Sequence, residues 1–236
     1  MYKIAQVAHF LPSLGPDAGR DRWCGAHAAL GAAVPGVQRY VQNFATASLG
    51  LVGIHDSRPA FDGYACVWFA DRAAFRSSSH TPEWAAMEAD ASSLLVPDPS
   101  PSLTAAVEEK LIIDGPTGPF KSVWFVQFSA DIRSDPGRAR EAHEYWTRTH
   151  GAAFGVRVPG IDRYVQNHVV EPIADGVELG YDGFSECWFQ DRAAFDVTMG
   201  STEWGEMNND AKNIFDRDWI VGGWSSLLDE VVVKAG

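Results

Sequence analysis

The chain has 236 residues, of which 46% are hydrophobic and 12% aromatic, and 19 Lys and Arg against 31 Asp and Glu give a formal net charge of −12. This composition is typical of a folded globular protein. Nucleic acid is excluded as an expected partner, because phosphate binding needs a basic surface. The sequence contains neither a run of roughly 18 apolar residues, as a membrane helix needs, nor a signal-peptide pattern. We therefore expect no membrane partner and a cytoplasmic protein.

The cysteines and the short motifs indicate chemistry without a metal or a cofactor. Cys24, Cys66 and Cys187 are odd in number and widely spaced, which suits neither a disulfide framework nor paired metal ligands. The chain also lacks an HExxH-type spacing, a phosphate-binding glycine loop and a dinucleotide fingerprint. The sequence thus predicts no metal site and no cofactor.

Two blocks of sequence recur in the same order along the chain. Val34–Asn43 returns 124 residues later as Val158–Asn167, and Trp68–Phe75 returns 120 residues later as Trp188–Phe195. The connection between the blocks is therefore four residues longer in the first copy. A repeat of this length predicts two copies of one structural unit.

Each copy is predicted to form strand, helix, strand, strand, helix and strand. In the first copy the hydrophobic pattern and the turn residues predict a strand over 3–10, a helix over 18–33, a strand over 37–44, a third strand from Gly63, a helix capped by Asp71 and a last strand over 105–113. In the second copy the same elements are a strand over 121–128, a helix over 136–154, a strand over 161–170, a third strand from Gly183, a helix capped by Asp191 and a last strand over 227–234.

This order of elements is the ferredoxin-like arrangement, in which both helices cover one face of an antiparallel sheet. The other face of each sheet must then be covered. We predict an α+β fold in which two tandem ferredoxin-like repeats, residues 1–114 and 119–236 with a linker over 115–118, face each other sheet to sheet as a closed intrachain barrel.

Strand alternation predicts which side chains point into this barrel. On the third strands, every second side chain is small and apolar, as packing against the helices needs. The side chains between them are therefore assigned to the interior: Tyr64, Cys66, Trp68, Phe184, Glu186 and Trp188. The same argument assigns further residues of the first and second strands to the interior: His9, Gln127, Tyr40, Gln42, Tyr164, Gln166 and His168. An aromatic cavity with a few polar groups is the usual composition of a small-molecule site.

Three groups are candidates for acid–base chemistry. Trp146-x3-His150 on the first helix repeats Trp23-x3-His27, and an imidazole can take or give a proton near neutral pH. Glu186 would be costly in an apolar cavity unless it is paired, for which His168 is a candidate, or has a raised pKa. We predict His150, Glu186 and His168 as catalytic residues. The structural alternatives are a hydrogen bond from His150 to a strand end and, for Glu186, either an ion pair or an exposed position on the other face of its strand.

The residues around His150 resemble the EthD-like branch of the dimeric α/β-barrel superfamily. That family has an aromatic-Trp pair, a His near the end of the first helix, then Pro-Gly and an Arg-Tyr-x-x-Asn strand, which Tyr145-Trp146-x3-His150 and Val158–Asn167 match. The resemblance implies the ferredoxin-like barrel, and relatives include dehydratases and decarboxylases of aromatic polyketides and cofactor-free oxygenases. The first copy has Arg22 in place of Tyr145, which favours one site dominated by the second copy.

We therefore expect a cofactor-independent lyase that dehydrates, decarboxylates or cleaves a carbon–carbon bond of an aromatic or phenolic small molecule. The alternatives are a cofactor-free monooxygenase and a non-catalytic binding protein for an aromatic metabolite. A homodimer of the whole chain is compatible with the pattern. Apart from the three catalytic candidates, the residues predicted to bind substrate, with packing as the alternative for the aromatic ones, are Tyr164, Trp188, Tyr145, His27, His9, Tyr40 and Trp68.

Overall fold

The computed structural model describes residues 1–50, 53–55, 57–98, 102–218 and 222–236. The first half contains β1 (Tyr2–Ala8), α1 (Pro16–Arg22), α2 (Ala28–Ala33), β2 (Arg39–Gly50), β3 (Gly53–Ile54), β4 (Gly63–Phe69), α3 (Arg72–Ser78), α4 (Pro82–Ala91) and β5 (Thr104–Ile113). The second half contains β6 (Phe120–Val126), α5 (Ala130–Arg133), α6 (Pro136–Tyr145), β7 (Arg163–Pro172), β8 (Gly183–Phe189), α7 (Arg192–Gly200), α8 (Thr202–Ala211) and β9 (Ser225–Lys234).

Eight of the strands form one closed antiparallel barrel. Their order is β2-β4-β1-β5-β7-β8-β6-β9, and β9 pairs with β2 to complete the ring. The predicted α+β barrel is thereby confirmed. Among the described residues, strand β3 pairs with the end of β2, and it lies in the connection that the sequence shows to be longer in the first half. No helix among the described residues is both long and apolar enough to cross a bilayer.

The barrel closes where the two halves meet edge to edge. Strand β5 of the first half pairs with β7, where Leu111 lies opposite Val165. Strand β9 of the second half pairs with β2, where Asn43 lies opposite Glu230. The two halves are thus joined by backbone hydrogen bonds along both edges.

Helices α3 and α7 begin at the capping residues that the sequence indicates. Asp71 accepts a hydrogen bond from the backbone N–H of Ala74 at the start of α3, and Asp191 does the same at the start of α7. The first helix of each half contains a wide π-helical turn, Trp23–His27 in the first half and Trp146–Phe154 in the second. Such turns often occur at functional sites, and these two hold the histidines of the repeated motif.

The inward-facing residues of the third strands are predicted correctly. Tyr64, Cys66 and Trp68 on β4 and Phe184 on β8 are buried together in the apolar core of the barrel. The aromatic side chains of the two halves meet there, with the ring centroids of Tyr64 and Phe184 5.4 Å apart.

The prediction for the second strands is wrong: the side chains assigned to the interior face the helices, and those assigned to the helices face the interior. Val41 lies in the barrel core, whereas Tyr40 and Tyr164 pack in the helix-side cores of the first and second half. The same parity places His168 on the helix side, where its ring lies 4.3 Å from that of Trp146.

Glycines on the first helices explain why the large tyrosine rings fit on the helix side. A Cβ atom added to Gly31 would lie 2.8 Å from the ring of Tyr40, and one added to Gly155 would lie 2.8 Å from the ring of Tyr164. The absent side chains provide the space that the rings occupy.

Candidate functional site

Each half holds one buried histidine against one aspartate. His27 Nδ1 lies 3.0 Å from Asp90 Oδ2, and His150 Nδ1 lies 2.9 Å from Asp210 Oδ2. The histidines come from the π-helical turns and the aspartates from α4 and α8. A later helix of each half thus provides the carboxylate that contacts the histidine of the first helix. Both imidazoles are buried.

A carboxylate at Nδ1 prepares an imidazole for proton transfer. It favours the tautomer that carries its proton on Nδ1, which leaves Nε2 as the basic nitrogen, and it stabilises the imidazolium once a proton has been taken. His27 and His150 each line a cavity between the helices and the outer face of the barrel. Each pair is therefore arranged as a general base beside a space that could hold a ligand.

A third side chain holds the aspartate of each pair. Arg22 Nη2 donates a hydrogen bond of 2.5 Å to Asp90 Oδ1. Burial tends to raise the pKa of Asp90, but the hydrogen bonds from Arg22 and His27 outweigh it and hold that pKa below its usual value. The pKa of His27 is lowered, chiefly by burial and against the influence of Asp90, with the charge of Arg22 contributing.

In the second half a tyrosine takes the place of the arginine. The hydroxyl of Tyr145 donates a hydrogen bond of 2.5 Å to Asp210 Oδ1, and this bond raises the pKa of Tyr145. Burial tends to raise the pKa of Asp210, but the hydrogen bonds from His150 and Tyr145 lower it overall. The predicted substrate-binding residue Tyr145 thus supports the aspartate of the pair.

The cavities beside the two histidines differ in size. The cavity beside His27 has a volume of about 290 Å³ and is lined by aromatic and apolar side chains that include Tyr40 and Trp84. The cavity beside His150 has a volume of about 50 Å³ and includes Tyr164. The sequence favoured a site dominated by the second copy, but the larger cavity lies in the first half.

Glu186 lies in the barrel interior, on the opposite face of the sheet from His150. Its strand neighbours Ser185 and Cys187 line the cavity of His150, so the alternation of the strand directs Glu186 away from that cavity. The catalytic pairing of Glu186 with His150 or His168 is not present in this arrangement.

Two lysines are the charged partners of Glu186. Lys121 Nζ lies 2.6 Å and Lys3 Nζ 3.5 Å from its carboxylate, and the hydroxyl of Tyr64 donates a hydrogen bond of 2.7 Å. Burial raises the pKa of Glu186, but the lysine charges outweigh it and keep the carboxylate ionised. The expected partner, His168, is replaced by this ion pair, which is one of the structural alternatives that the sequence left open.

His168 contacts a second histidine on the helix side. His143 Nδ1 lies 2.9 Å from His168 Nδ1, and both rings line an open cavity separate from that of His150. Burial lowers the pKa of His143 to about 4. Burial, together with the neighbouring ring of His143, lowers the pKa of His168 to about 3.

The remaining predicted residues lie away from the two His–Asp pairs. Trp68 and Trp188 line a further cavity of about 210 Å³, with Lys3 Nζ 4.7 Å above the ring of Trp68 and Lys121 Nζ 4.4 Å above that of Trp188. His9 packs edge-on against the ring of Trp224, with a centroid distance of 6.3 Å. The structure thus brings together His150, Tyr145 and Tyr164 in one half and His27 and Tyr40 in the other, and places the rest elsewhere.

Sequence reasoning missed the two aspartates. The signal was available, because Trp84-x2-Met87-x2-Asp90 returns 120 residues later as Trp204-x2-Met207-x2-Asp210, the same offset as that of the second repeated block. No group of three or more His, Cys, Asp or Glu side chains in the described part of the chain is arranged to hold a metal ion.

Comparison with known proteins supports the family and the fold. Residues 11–97 and 138–218 match the family model of the EthD domain, and no curated protein matches the chain. An anthrone oxidase-like protein is similar in structure, with 11% identity, a TM-score of 0.59 and coverage of 98% of this chain and 92% of the other.

Two further solved structures are similar over nearly their whole length. A protein of Fusobacterium nucleatum subsp. nucleatum with a provisional monooxygenase assignment has 8% identity and a TM-score of 0.52, with coverage of 99% of this chain and 92% of the other. A provisionally assigned chlorite dismutase has 13% identity and a TM-score of 0.50, with coverage of 98% and 95%. These likenesses show a shared fold. Since the EthD model matches one segment in each half and most of the chain in total, the protein belongs to the EthD domain family.

Proposed function

We propose that the protein is an enzyme that transfers protons on an aromatic or phenolic small molecule without a cofactor. The observation that carries this proposal is the His27–Asp90 pair at the wall of the 290 Å³ cavity. Ligand pockets have volumes from about 300 Å³ upwards, and this cavity lies at the lower end of that range. Its volume therefore suits a molecule of one or two rings. The reaction type is a lyase reaction: a dehydration, a decarboxylation or a retro-aldol cleavage.

In a dehydration, His27 would remove a proton from a substrate carbon while Asp90 stabilises the imidazolium. The proton then passes to the departing hydroxyl group, which leaves as water and restores the neutral imidazole. Gln6 and Thr104 also line this cavity and offer polar groups to a phenolic oxygen. A positioned base of this kind contributes about 10²–10⁴-fold to a rate.

We further propose that the chain is a tandem of two ferredoxin-like repeats, residues 1–114 and 119–236. Within each half the strands lie in the order fourth, first, third, second: β5-β1-β4-β2 and β9-β6-β8-β7. Each repeat then has its own His–Asp pair. His150 with Asp210 forms the second candidate acid–base pair, and Tyr40 and Tyr164 are the wall residues that would contact a bound ring.

A cofactor-free monooxygenase is the second candidate function. In that reaction the same base would form a substrate carbanion that reacts directly with O₂. The observation that favours it is the fold shared with proteins described as anthrone oxidase-like and as a monooxygenase. Oxygen consumption during turnover separates this reaction from a lyase reaction.

The experiment compares His27→Asn, Asp90→Asn and His150→Asn with the exposed control His80→Asn, on phenolic substrates selected by screening. We expect His27→Asn to lower turnover by about 10²-fold or more, while the control keeps full activity. Full activity in a folded His27→Asn variant contradicts the proposal, and a loss of activity in His150→Asn would show that the second pair also acts. Tight binding of phenols that remain chemically unchanged would indicate a binding protein instead.

A further inference from the structure

Gln6 and Trp124 occupy the same position in their halves. Each lies on the first strand between residues of the third and last strands: Gln6 between Ala65 and Thr104, and Trp124 between Ser185 and Ser225. Both side chains point to the helix side, where Gln6 lines the cavity of His27 and Trp124 lines that of His150.

The two side chains fill this position very differently. Trp124 is only 8% exposed, and its ring packs 5.3 Å from that of Trp204 on α8. Gln6 is exposed, and the cavity beside it remains open next to Trp84, the counterpart of Trp204. An indole ring therefore occupies in the second half the place that is empty space in the first.

Some of the large side chains around the two cavities recur. Three of them are shared by the two walls, in the pairs Tyr40 and Tyr164, Trp84 and Trp204, and Met87 and Met207. The His–Asp pair is also complete in both halves. The side chain at position 6 or 124 is thus one difference between the wall of the cavity of about 290 Å³ in one half and the wall of the cavity of about 50 Å³ in the other.

We propose that this position decides which His–Asp pair a ligand reaches. Gln6 leaves the first pocket open to an aromatic molecule that carries a hydroxyl or carbonyl oxygen, for which its amide is a hydrogen-bond partner. Trp124 closes the second pocket around an intact His150–Asp210 pair, so that this pair is latent. The inference rests on the proposed function, since it concerns access to the same acid–base groups.

The test is a reciprocal exchange, Trp124→Gln and Gln6→Trp, in protein with ¹⁵N-labelled histidines and with 2-naphthol as the probe. In the unmodified protein 2-naphthol should shift the imidazole resonances of His27 and leave those of His150 unchanged. Trp124→Gln should make His150 respond as well, while Gln6→Trp should weaken binding at His27 by about tenfold or more. The other histidine is the internal control in each variant.

Two results would overturn the inference: a folded Trp124→Gln protein in which His150 does not respond, or a Gln6→Trp protein that binds 2-naphthol at His27 as tightly as before. If Trp124→Gln does not fold, Trp124→Leu replaces it, and Gln6→Trp decides independently because it adds a ring to open space. Binding does not depend on turnover. A probe that binds as expected in a protein without any acid–base activity therefore supports the inference and contradicts only the proposed function.

Discussion

Arg22 and Tyr145 stand at the same position of the first helix in the two halves, and each donates a 2.5 Å hydrogen bond to the aspartate that holds a histidine. In the first half that donor is a permanent cation, which neutralises Asp90 and disfavours a second positive charge on His27. In the second half the donor is neutral. The two His–Asp pairs are thus alike in geometry but differ in charge.

The substitution Arg22→Tyr should raise the pKa of His27. The pKa is now below 6.5 because of burial and, to a smaller extent, the charge of Arg22, and the substitution removes that charge while it keeps a hydrogen-bond donor for Asp90. NMR titration of the His27 imidazole measures the change. Arg22→Lys, which retains the cation, is the control and should leave the pKa low. An equal pKa in both variants would contradict this account.

The His143–His168 contact should make the protein less stable in mild acid. Burial keeps both rings neutral in the folded protein, with pKa values of about 4 and 3, whereas the unfolded chain takes up protons below about 6.5. Because the unfolded state then binds more protons, stability should fall by about 1.4 kcal/mol per pH unit for each histidine as the pH decreases from 6.5 towards these values.

Urea unfolding at pH 7, 6 and 5 tests this expectation. The variants His143→Asn and His168→Asn should lose less stability over this range than the unmodified protein does. The control His80→Asn removes an exposed histidine and should leave the pH dependence unchanged. Identical pH dependence in all four proteins would show that the two buried histidines are not the cause.

The substitution Glu186→Gln should destabilise the barrel and leave turnover at His27 unchanged. It leaves Lys3 and Lys121 buried with less negative charge around them, and disruption of a buried ion pair costs about 3 kcal/mol. Denaturant unfolding and turnover are measured together. Glu108→Gln, in an exposed pair with Lys110, is the control and should change stability by less than about 1 kcal/mol. A stable but inactive Glu186→Gln protein would restore a catalytic role for this residue.

The substitution Gly183→Ala should destabilise the protein by about 1–3 kcal/mol through overpacking. A Cβ atom there would lie 2.5 Å both from the backbone oxygen of Asn167 and from the ring of Trp146. Gly205→Ala on α8 is the control, because a Cβ atom there has no neighbour within 4 Å and alanine favours a helix by about 1 kcal/mol. Thermal unfolding should therefore move in opposite directions for the two variants.

The repeat in the sequence was sufficient to predict the α+β barrel, but it predicted neither β3 nor the division of the later helix of each half into two. The prediction was wrong at the second strands. The expectation that small side chains face the helices placed Tyr164 in the interior. The deciding residue was Gly155 on the neighbouring helix, which leaves room for the ring. Such complementarity between two elements is a property of their packing and cannot be read from the alternation of one strand.

The His–Asp pairs show a second limit of the same kind. Asp210 is 60 residues away from His150, and only the packing of α8 beside the first helix brings them into contact. Glu186 was correctly placed inside the barrel, but its partners come from the first strands of both halves. Spacing along the chain identifies groups on one helix or strand, whereas these pairs form between elements that are distant in sequence.

The alternation along β8 also restricts how such a protein can change in length. Ser185 and Cys187 line the cavity of His150, while Glu186 between them neutralises lysines in the barrel. An insertion or deletion of one residue in this strand would exchange the two faces and damage both at once. Substitutions can alter either face alone, and changes of length are restricted to connections such as the one that contains β3. The pockets can therefore diverge by single replacements while the barrel stays the same.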